Sequence, residues 1–409
     1  MHLLLADAVA DETVAELESR GHRCSVEPAL TAADLPGRIA GVDALVVRST
    51  KVDGAVFEAA DKLALVIRAG AGTNTIDVDA AARNGVLVSN VPGRNAVAVA
   101  ELAMALILAL DRRIADNVAD ARGGRWEKKA YSQANGLLGR TLGIVGLGSI
   151  GLAVAGRAAG FGMPIACLDR PGRSQATRDR LAELDVVYHG ALPELLASCD
   201  VVSLHVPSSA GTRNLVDADF LAAMKPGSIL VNTSRGDVVD EAALLAALDA
   251  GRVRAGLDVF ADEPGSGTAE WDCPLAQHPR VVATHHIGAS TDQAQTAIAA
   301  GVVEIVDAFA AGEARNCVNL APRGLGSATL TVRHLDKVGV LARVLELLRE
   351  AGLNVEHMQN RIFTGGEAAV ATMDVAGTVP ADLLTHLEAI PEVLGCSQAA
   401  LESPCPQPA

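Results

Sequence analysis

Short apolar runs alternate with helix-period stretches over the first three quarters of the chain. Near the start, HLLLAD, DALVVRS and LALVIRAG are apolar runs closed by polar residues. Each predicts a strand buried on both faces, and segments 12–20 and 54–62 carry helical spacing. Strands of this kind interleaved with helices imply a parallel sheet covered on both sides. A second alternating series runs from about 96 to 284. It opens on a long apolar helix, and VVSLHVP, SILVNTS, AGLDVF and VVATHH are its later strands. A helix over 289–312 then returns the chain to the first domain and makes that domain discontinuous. Two crossings between the domains imply a hinge with a cleft beneath it.

The pattern breaks at about 313–327, where GEARNCVNLAPRGLGS has turn residues and no periodicity. Beyond it come a strand at 328–333, a helix at 337–351 and a strand at 354–363. A Thr364-Gly365-Gly366 turn, a strand at 367–375, a helix at 380–390 and a last strand near 394–401 follow. That βαββαβ order is the ferredoxin-like plan, and the tail SPCPQPA is expected to be loose. The expected fold is therefore α/β, with two doubly wound Rossmann-like parallel-sheet domains and a ferredoxin-like module. The first domain takes 1–95 and 286–318, the second 96–285 and the module 326–402.

At 409 residues the chain has room for two or three domains, each with its own core. Aromatic residues make up only 2% of it, so the cores should be aliphatic. A formal charge of −15 argues against nucleic acid or an anionic membrane as the main partner. An anionic metabolite stays open, because local arginines decide that. Seven cysteines at scattered spacings show neither a disulfide framework nor a metal cluster. They predict the reduced thiols of a cytoplasmic protein and no metal. The opening MHLLLADAVADE is acidic too early for a signal peptide. The most apolar run, 96–110, is broken by Glu101 and is shorter than the roughly twenty residues of a membrane span.

The chemistry begins at TLGIVGLGSIG. Apolar residues 142–145 read as a strand, Gly146, Gly148 and Gly151 form G-x-G-x-x-G, and 150–161 continue as an Ala-rich helix. A second apolar stretch ends at Asp169, eighteen residues past Gly151. That is the spacing of a dinucleotide site. Gly146 permits the tight turn, Gly148 lets the backbone approach a pyrophosphate, and Gly151 lets helix and strand pack closely. The pyrophosphate then meets free N–H groups at the helix start. Asp169 is placed to bind a ribose 2′-hydroxyl and repel a 2′-phosphate, which favours NAD, while Arg170 beside it leaves some use of NADP open.

Three further residues lie near strand ends: Arg235 in NTSRGDVVDE, Glu263 in LDVFADEP and His286 in ATHHIGAST. Oxidising an alcohol needs a base for the hydroxyl proton, and His suits neutral pH. A carboxylate on the other ring nitrogen fixes the tautomer. An arginine binds a substrate carboxylate and polarises the developing carbonyl. Each residue alone could be a surface charge or a core histidine; downstream of a dinucleotide motif they form a set. His285 is a rival for His286, since neighbouring strand residues face opposite ways.

With NTSRGDVVDEAALLAAL, GLDVFADEP and HHIGAST beside the glycine motif, the chain resembles the NAD-dependent D-2-hydroxyacid dehydrogenases over about residues 40–400. The resemblance implies that His286 is the acid/base, Glu263 its partner and Arg235 the substrate-binding arginine. It implies that Ser149 and Ile150 offer backbone groups to the pyrophosphate. Thr233, Ser234, Asp258 and Gly288 match family positions around the cofactor. The first domain would supply substrate contacts: Arg48, Ser49 and Lys51 in VRSTK, the N–H groups of Ala71 and Gly72 in AGAGTN, and Asn95. Lys128 in WEKK and Gln293 in STDQAQ resemble members that act on a phosphorylated acid. VRHLDKVGVLARVLELL resembles the start of an ACT domain, a small ligand-binding module. His334, Asp336 and Asn354 then mark one loop-helix-strand corner for a small amino-acid effector. Asp336 stands where serine-inhibited members carry Asn, and Val338 where Pro is typical, so serine itself is not implied.

The activity implied is oxidation of 3-phospho-D-glycerate to 3-phosphohydroxypyruvate with NAD, the entry to serine synthesis, in a homo-dimer or tetramer. The competing readings are a glyoxylate or hydroxypyruvate reductase and, from another class, an NAD-sensing scaffold or corepressor.

Overall fold

The apolar runs do become strands, and their burial explains which were legible. The structure is a computed structural model and describes residues 1–264, 268–321 and 326–401. The first sheet contains β1 (His2–Leu5), β2 (Arg23–Val26), β3 (Ala44–Val47), β4 (Leu65–Arg68) and β5 (Leu87–Asn90). All are parallel, in the order β2-β1-β3-β4-β5. The second has β6 (Leu142–Val145), β7 (Ile165–Leu168), β8 (Val187–His189), β9 (Val201–Leu204), β10 (Ser228–Asn232), β11 (Val253–Leu257) and β12 (Val281–Ala283). Its order is β12-β11-β10-β9-β6-β7-β8, again parallel. Strands β3, β6, β9 and β10 are buried throughout, which gave their uninterrupted apolar runs. The apolar pattern does not mark β2 and β8, edge strands with no buried residue, nor the short edge strand β5, whose two ends are only half-buried.

Two long helices cover the sheets. Ala96–Arg112 lays Ala103, Leu106, Ile107 and Leu110 on Leu142, Ile144, Ile229 and Val231 of the second sheet. Asp292–Ala310 lays Ile298, Val302 and Ile305 on Leu3, Leu5 and Ile67 of the first, so the chain does return to it. Its start is three residues later than the periodicity implied. Thr291 caps the helix by accepting from the Ala294 N–H at 3.2 Å, a contact worth about 1 kcal/mol. The returning chain then lies along β5. The Val318 N–H donates to the Val88 carbonyl, and the Asn319 side chain bridges the Val88 N–H and the Val86 carbonyl.

The described chain divides into two compact units, Met1–Asn319 and a second beginning at Leu320. The second unit has β13 (Ala328–Leu335), β14 (Asn354–Ile362), β15 (Ala368–Ala376) and β16 (Val393–Ala400). They form an antiparallel sheet in the order β14-β15-β13-β16, the ferredoxin-like arrangement. Alternate residues of β13 and β15 are buried beneath the helices Val340–Glu350 and Leu383–Glu388. Both helices are shorter than expected. Gly339 at φ +88° starts the first, so residues 337–339 belong to the preceding loop. The tail SPCPQPA and residues 322–325 lie outside the described residues. Among the described residues, no helix is long and apolar enough to cross a membrane.

Candidate active site

The second sheet reverses its order between β6 and β9, and ligands of open α/β sheets bind at the carboxyl ends of strands at such a point. Gly146 to Gly151 occupy it. Gly146 has φ +100°, and a Cβ there would meet the His205 carbonyl oxygen at 2.3 Å. A Cβ on Gly151 would sit 2.1 Å from the Gly146 carbonyl oxygen, so helix Ser149–Gly160 lies tight against the turn. Gly148 has open space above it, and no side chain caps the helix. The first-turn N–H groups, including those of Ser149 and Ile150, are left for an anion. Asp169 follows β7 with its side chain 74% exposed. Arg173 stands 4.0 Å from it, donating to the Leu168 carbonyl and lying over the Tyr188 ring.

Arg235, Glu263 and His286 converge. The His286 Nδ1–H donates to Glu263 Oε2 at 2.6 Å, and the Phe260 N–H donates to Oε1 at 2.9 Å. Burial raises the Glu263 carboxyl, but the His286 hydrogen bond, the Phe260 N–H and the charges of His286 and Arg235 outweigh it. The net shift is downward, so the carboxylate is held ionised. His286 lies beyond β12, in the left-handed region at φ +53°, so strand alternation does not decide between it and His285. His285 instead approaches the Trp271 ring. Burial pulls the Arg235 guanidinium down, opposed by the charges of Glu263 and Asp237.

The loops around this trio are organised by residues with engaged side chains. Asn232 donates to the Arg235 carbonyl and accepts from both the N–H and the hydroxyl of Ser234. The Ser234 side chain is thus taken up inside the turn. Asp258, 1% exposed, accepts from the Thr284 hydroxyl and the Ile287 and Gly288 N–H groups. Its carboxylate builds the His286 loop rather than facing the cleft. Gly288 is packed between Asp258 and Val99.

From the first sheet, Gly72 meets Arg235 directly: a Cβ on it would lie 2.1 Å from Nη2. The neighbouring Ala71 carbonyl accepts from Asn90. Arg48, Ser49 and Thr50 donate their N–H groups to the Asp7 carboxylate, which shapes that loop, and Lys51 is exposed beside it. Arg68, at the end of β4, escaped the sequence reading. Burial, then the charges of Arg235 and Arg48, bring its guanidinium down to about 10, and its Nε is buried without a partner. Its only sequence signal was a cation closing an apolar strand. Two expected contacts are not brought to this cluster. Lys128 stands on an exposed segment and has no side-chain partner among the described residues. Gln293 is exposed on the first helical turn, whereas half-buried Gln295 donates to the Ala289 carbonyl of the His286 loop.

Residues 104–288 match the family model for the D-isomer specific 2-hydroxyacid dehydrogenase NAD binding domain, and 328–392 match the ACT domain. A hydroxypyruvate reductase of Thermotoga maritima is 45% identical over 265 residues, 64% of this chain and 83% of its own. The chain belongs to the D-isomer specific 2-hydroxyacid dehydrogenases. Within that family, a D-3-phosphoglycerate dehydrogenase of Mycobacterium tuberculosis H37Rv is 42% identical over 361 residues, 87% of this chain and 66% of the relative. Overall, the chain spans about half to two thirds of the length of the phosphoglycerate dehydrogenases it matches. The structure of an Aquifex aeolicus D-lactate dehydrogenase complexed with NAD and lactic acid superposes with a TM-score of 0.67 at 27% identity, covering 79% of this chain and all of that one.

The family's cofactor fits the residues present. The Gly148 cradle is open, and Thr233 Oγ1, just past β10, and Asn95 Oδ1, at the start of helix Ala96–Arg112, are buried without partners, polar atoms that a bound nicotinamide dinucleotide could satisfy. The ACT residues, by contrast, do not meet within one chain. Asn354 pairs with Ala376, beyond the Ala328–Val375 pair, whereas His334 pairs with Ala369. At roughly 3.3 Å per residue they stand about 20 Å apart along the sheet. His334 is buried, bonded to the Leu335 carbonyl and to Asn360, while Asp336 is exposed.

Proposed function

We propose that this chain oxidises 3-phospho-D-glycerate to 3-phosphohydroxypyruvate, with NAD as acceptor. The observation that carries the reading is the cluster of Arg48, Arg68 and Arg235 beside the His286–Glu263 pair. Arg235 and Arg48 lie close enough to lower the Arg68 guanidinium, and such a group of cations needs more negative charge than one carboxylate brings. A substrate with a carboxylate at one end and a phosphate at the other supplies it. Arg235 binds the carboxylate and the oxygen on the reacting carbon, with the N–H groups of Ala71 and Gly72 alongside. Arg48, Arg68 and Lys51 take the phosphate. His286 Nε2 accepts the hydroxyl proton, since Nδ1 carries its hydrogen toward Glu263. Glu263 then stabilises the imidazolium. NAD, when bound, supplies the hydride acceptor on the Gly146–Gly151 turn, with Asp169 at the ribose.

The phosphoglycerate dehydrogenase relatives support the phosphorylated substrate; the Thermotoga maritima relative supports hydroxypyruvate reduction as the competing activity. A panel of 3-phosphoglycerate, 3-phosphohydroxypyruvate, hydroxypyruvate and glyoxylate with NAD(H) and NADP(H) tests the reading. A kcat/KM for hydroxypyruvate equal to or above that for its phosphate ester overturns it. The reading extends to a cytoplasmic homo-oligomer, dimer or tetramer, with a small amino acid as effector of the ACT domain. It draws support from the free thiols of Cys24, Cys167, Cys199, Cys273, Cys317 and Cys396, and from Trp126 and Leu138, apolar side chains more than four fifths exposed.

A further inference from the structure

The first sheet has a reversal of its own, between β1 and β3. A cavity of about 480 Å³ opens there, between helices Asp11–Ser19 and Asp292–Ala310. That is the size of a small-molecule site, at the position where open α/β sheets hold ligands. Val46, Ala69, Ile298 and Val302 line it with aliphatic surface. Its charged lining residues are Asp7, Glu12, Glu16, Arg48 and Asp292. Arg48 lines one part, and its guanidinium has no hydrogen bond or ion pair among the described residues. Glu12 and Asp292 line the helix starts and are equally unpaired, whereas Glu16 is held by Arg20 and Asp7 by the loop N–H groups. An aliphatic floor beside a free cation and free carboxylates complements a zwitterion with an aliphatic body. A doubly charged phosphate ester fits poorly, because the carboxylates repel it and the floor offers no donors.

We propose that this cavity is a second ligand site, for a free α-amino acid with an aliphatic side chain. Its carboxylate pairs with Arg48, its ammonium with Glu12 and Asp292, and its side chain covers Ile298 and Val302. The site is linked to the cleft through Arg48, whose charge also acts on Arg68. A ligand carboxylate on Arg48 competes with the acid substrate for that guanidinium. This link rests on the role given to Arg48 in the proposed function; the binding itself does not.

Calorimetry of the full chain with L-leucine tests the binding, with isopentylamine and isocaproate as probes that each keep one of the two charges. Leucine should bind saturably, and each probe at least about tenfold more weakly, since each loses a charge-assisted contact. Thr296→Trp and Ala299→Phe, which fill the cavity from its mouth and its wall, should abolish leucine binding while NADH binding, read by fluorescence, shows that the fold is intact. Glu12→Gln should weaken it. Absence of saturable binding overturns the proposal. So does binding that persists in both filled variants, which would assign the amino acid elsewhere, or probes that bind as well as leucine. Leucine should also raise KM for the acid substrate in the parent chain and not in Thr296→Trp. Binding without that rise overturns the link through Arg48, and the calorimetry reads the site even if 3-phosphoglycerate is not turned over.

Discussion

The Arg235 guanidinium lies across the α-carbon of Gly72, with Nη2 only 2.1 Å from where a Cβ would stand. One residue comes from the second sheet and the other from a loop after β4, so this contact joins the two sides of the cleft. Gly72 is not in the left-handed region, so alanine there is costly chiefly through Arg235, with the Asn74 side-chain oxygen a lesser contact at 3.0 Å. Gly72→Ala should push the guanidinium aside and lower kcat/KM for the acid by about 10- to 100-fold, the worth of a charged hydrogen bond. NADH affinity should be unchanged. Unaltered kinetics would mean that Arg235 binds substrate from another position.

His286→Ala should lower kcat by about 10²- to 10⁴-fold, the usual contribution of a positioned base, with NADH binding retained. If His285→Ala is the inactive variant instead, the acid/base assignment is wrong.

The Glu263 carboxyl is held below its ordinary value of 4.5, with burial opposing and the His286 bond leading the downward influences. A lowered carboxyl stabilises the fold above its unfolded value, and that contribution fades as pH falls through the folded one. Glu263→Gln should therefore be less stable than the parent at pH 7. The gap should close as pH drops below 4.5, as read from urea melts across that range. A gap constant with pH would show that the carboxylate charge is not what matters.

Arg68 should discriminate phosphate. Arg68→Gln is expected to cut kcat/KM for 3-phosphohydroxypyruvate by about 10-fold or more and to affect hydroxypyruvate far less. An equal loss on both substrates would place Arg68 at the carboxylate or in the scaffold.

At the ribose end, Asp169→Ala should weaken NAD and improve NADP, because Arg173, fixed on the Leu168 carbonyl and over Tyr188, becomes available to a 2′-phosphate. Asp169→Ala/Arg173→Ala should lose the gain in NADP use while NAD stays weak. NADP use that survives the second change would place the phosphate on Arg170.

Much of this site was legible because its signals are local. A strand, three spaced glycines and a helix define the dinucleotide turn, and burial of β10 makes its end, and hence Arg235, easy to find. Side-chain destinations were harder to read. Nothing near Asp258 in sequence says that its carboxylate reaches 26 to 30 residues ahead to hold the His286 loop. Gln293 and Gln295 are two residues apart on one helix, and which one faces the loop depends on a helix start that Thr291 fixes. Arg68 reads as a strand terminator until the second sheet sets Arg235 beside it. Asn354 looked close to His334 because helix and strand intervene compactly in sequence, yet the sheet register puts them at opposite ends.

The strip that lies along β5 also bears on the order in which the molecule can be assembled. Asn319 reaches Val86 and Val88 across more than 230 residues of chain, so that edge has no cover until almost the whole first unit has been synthesised. The second sheet, drawn from one continuous stretch, needs no such wait. During translation it can close while β5 still shows a bare row of backbone donors and acceptors, open to pairing with a neighbour.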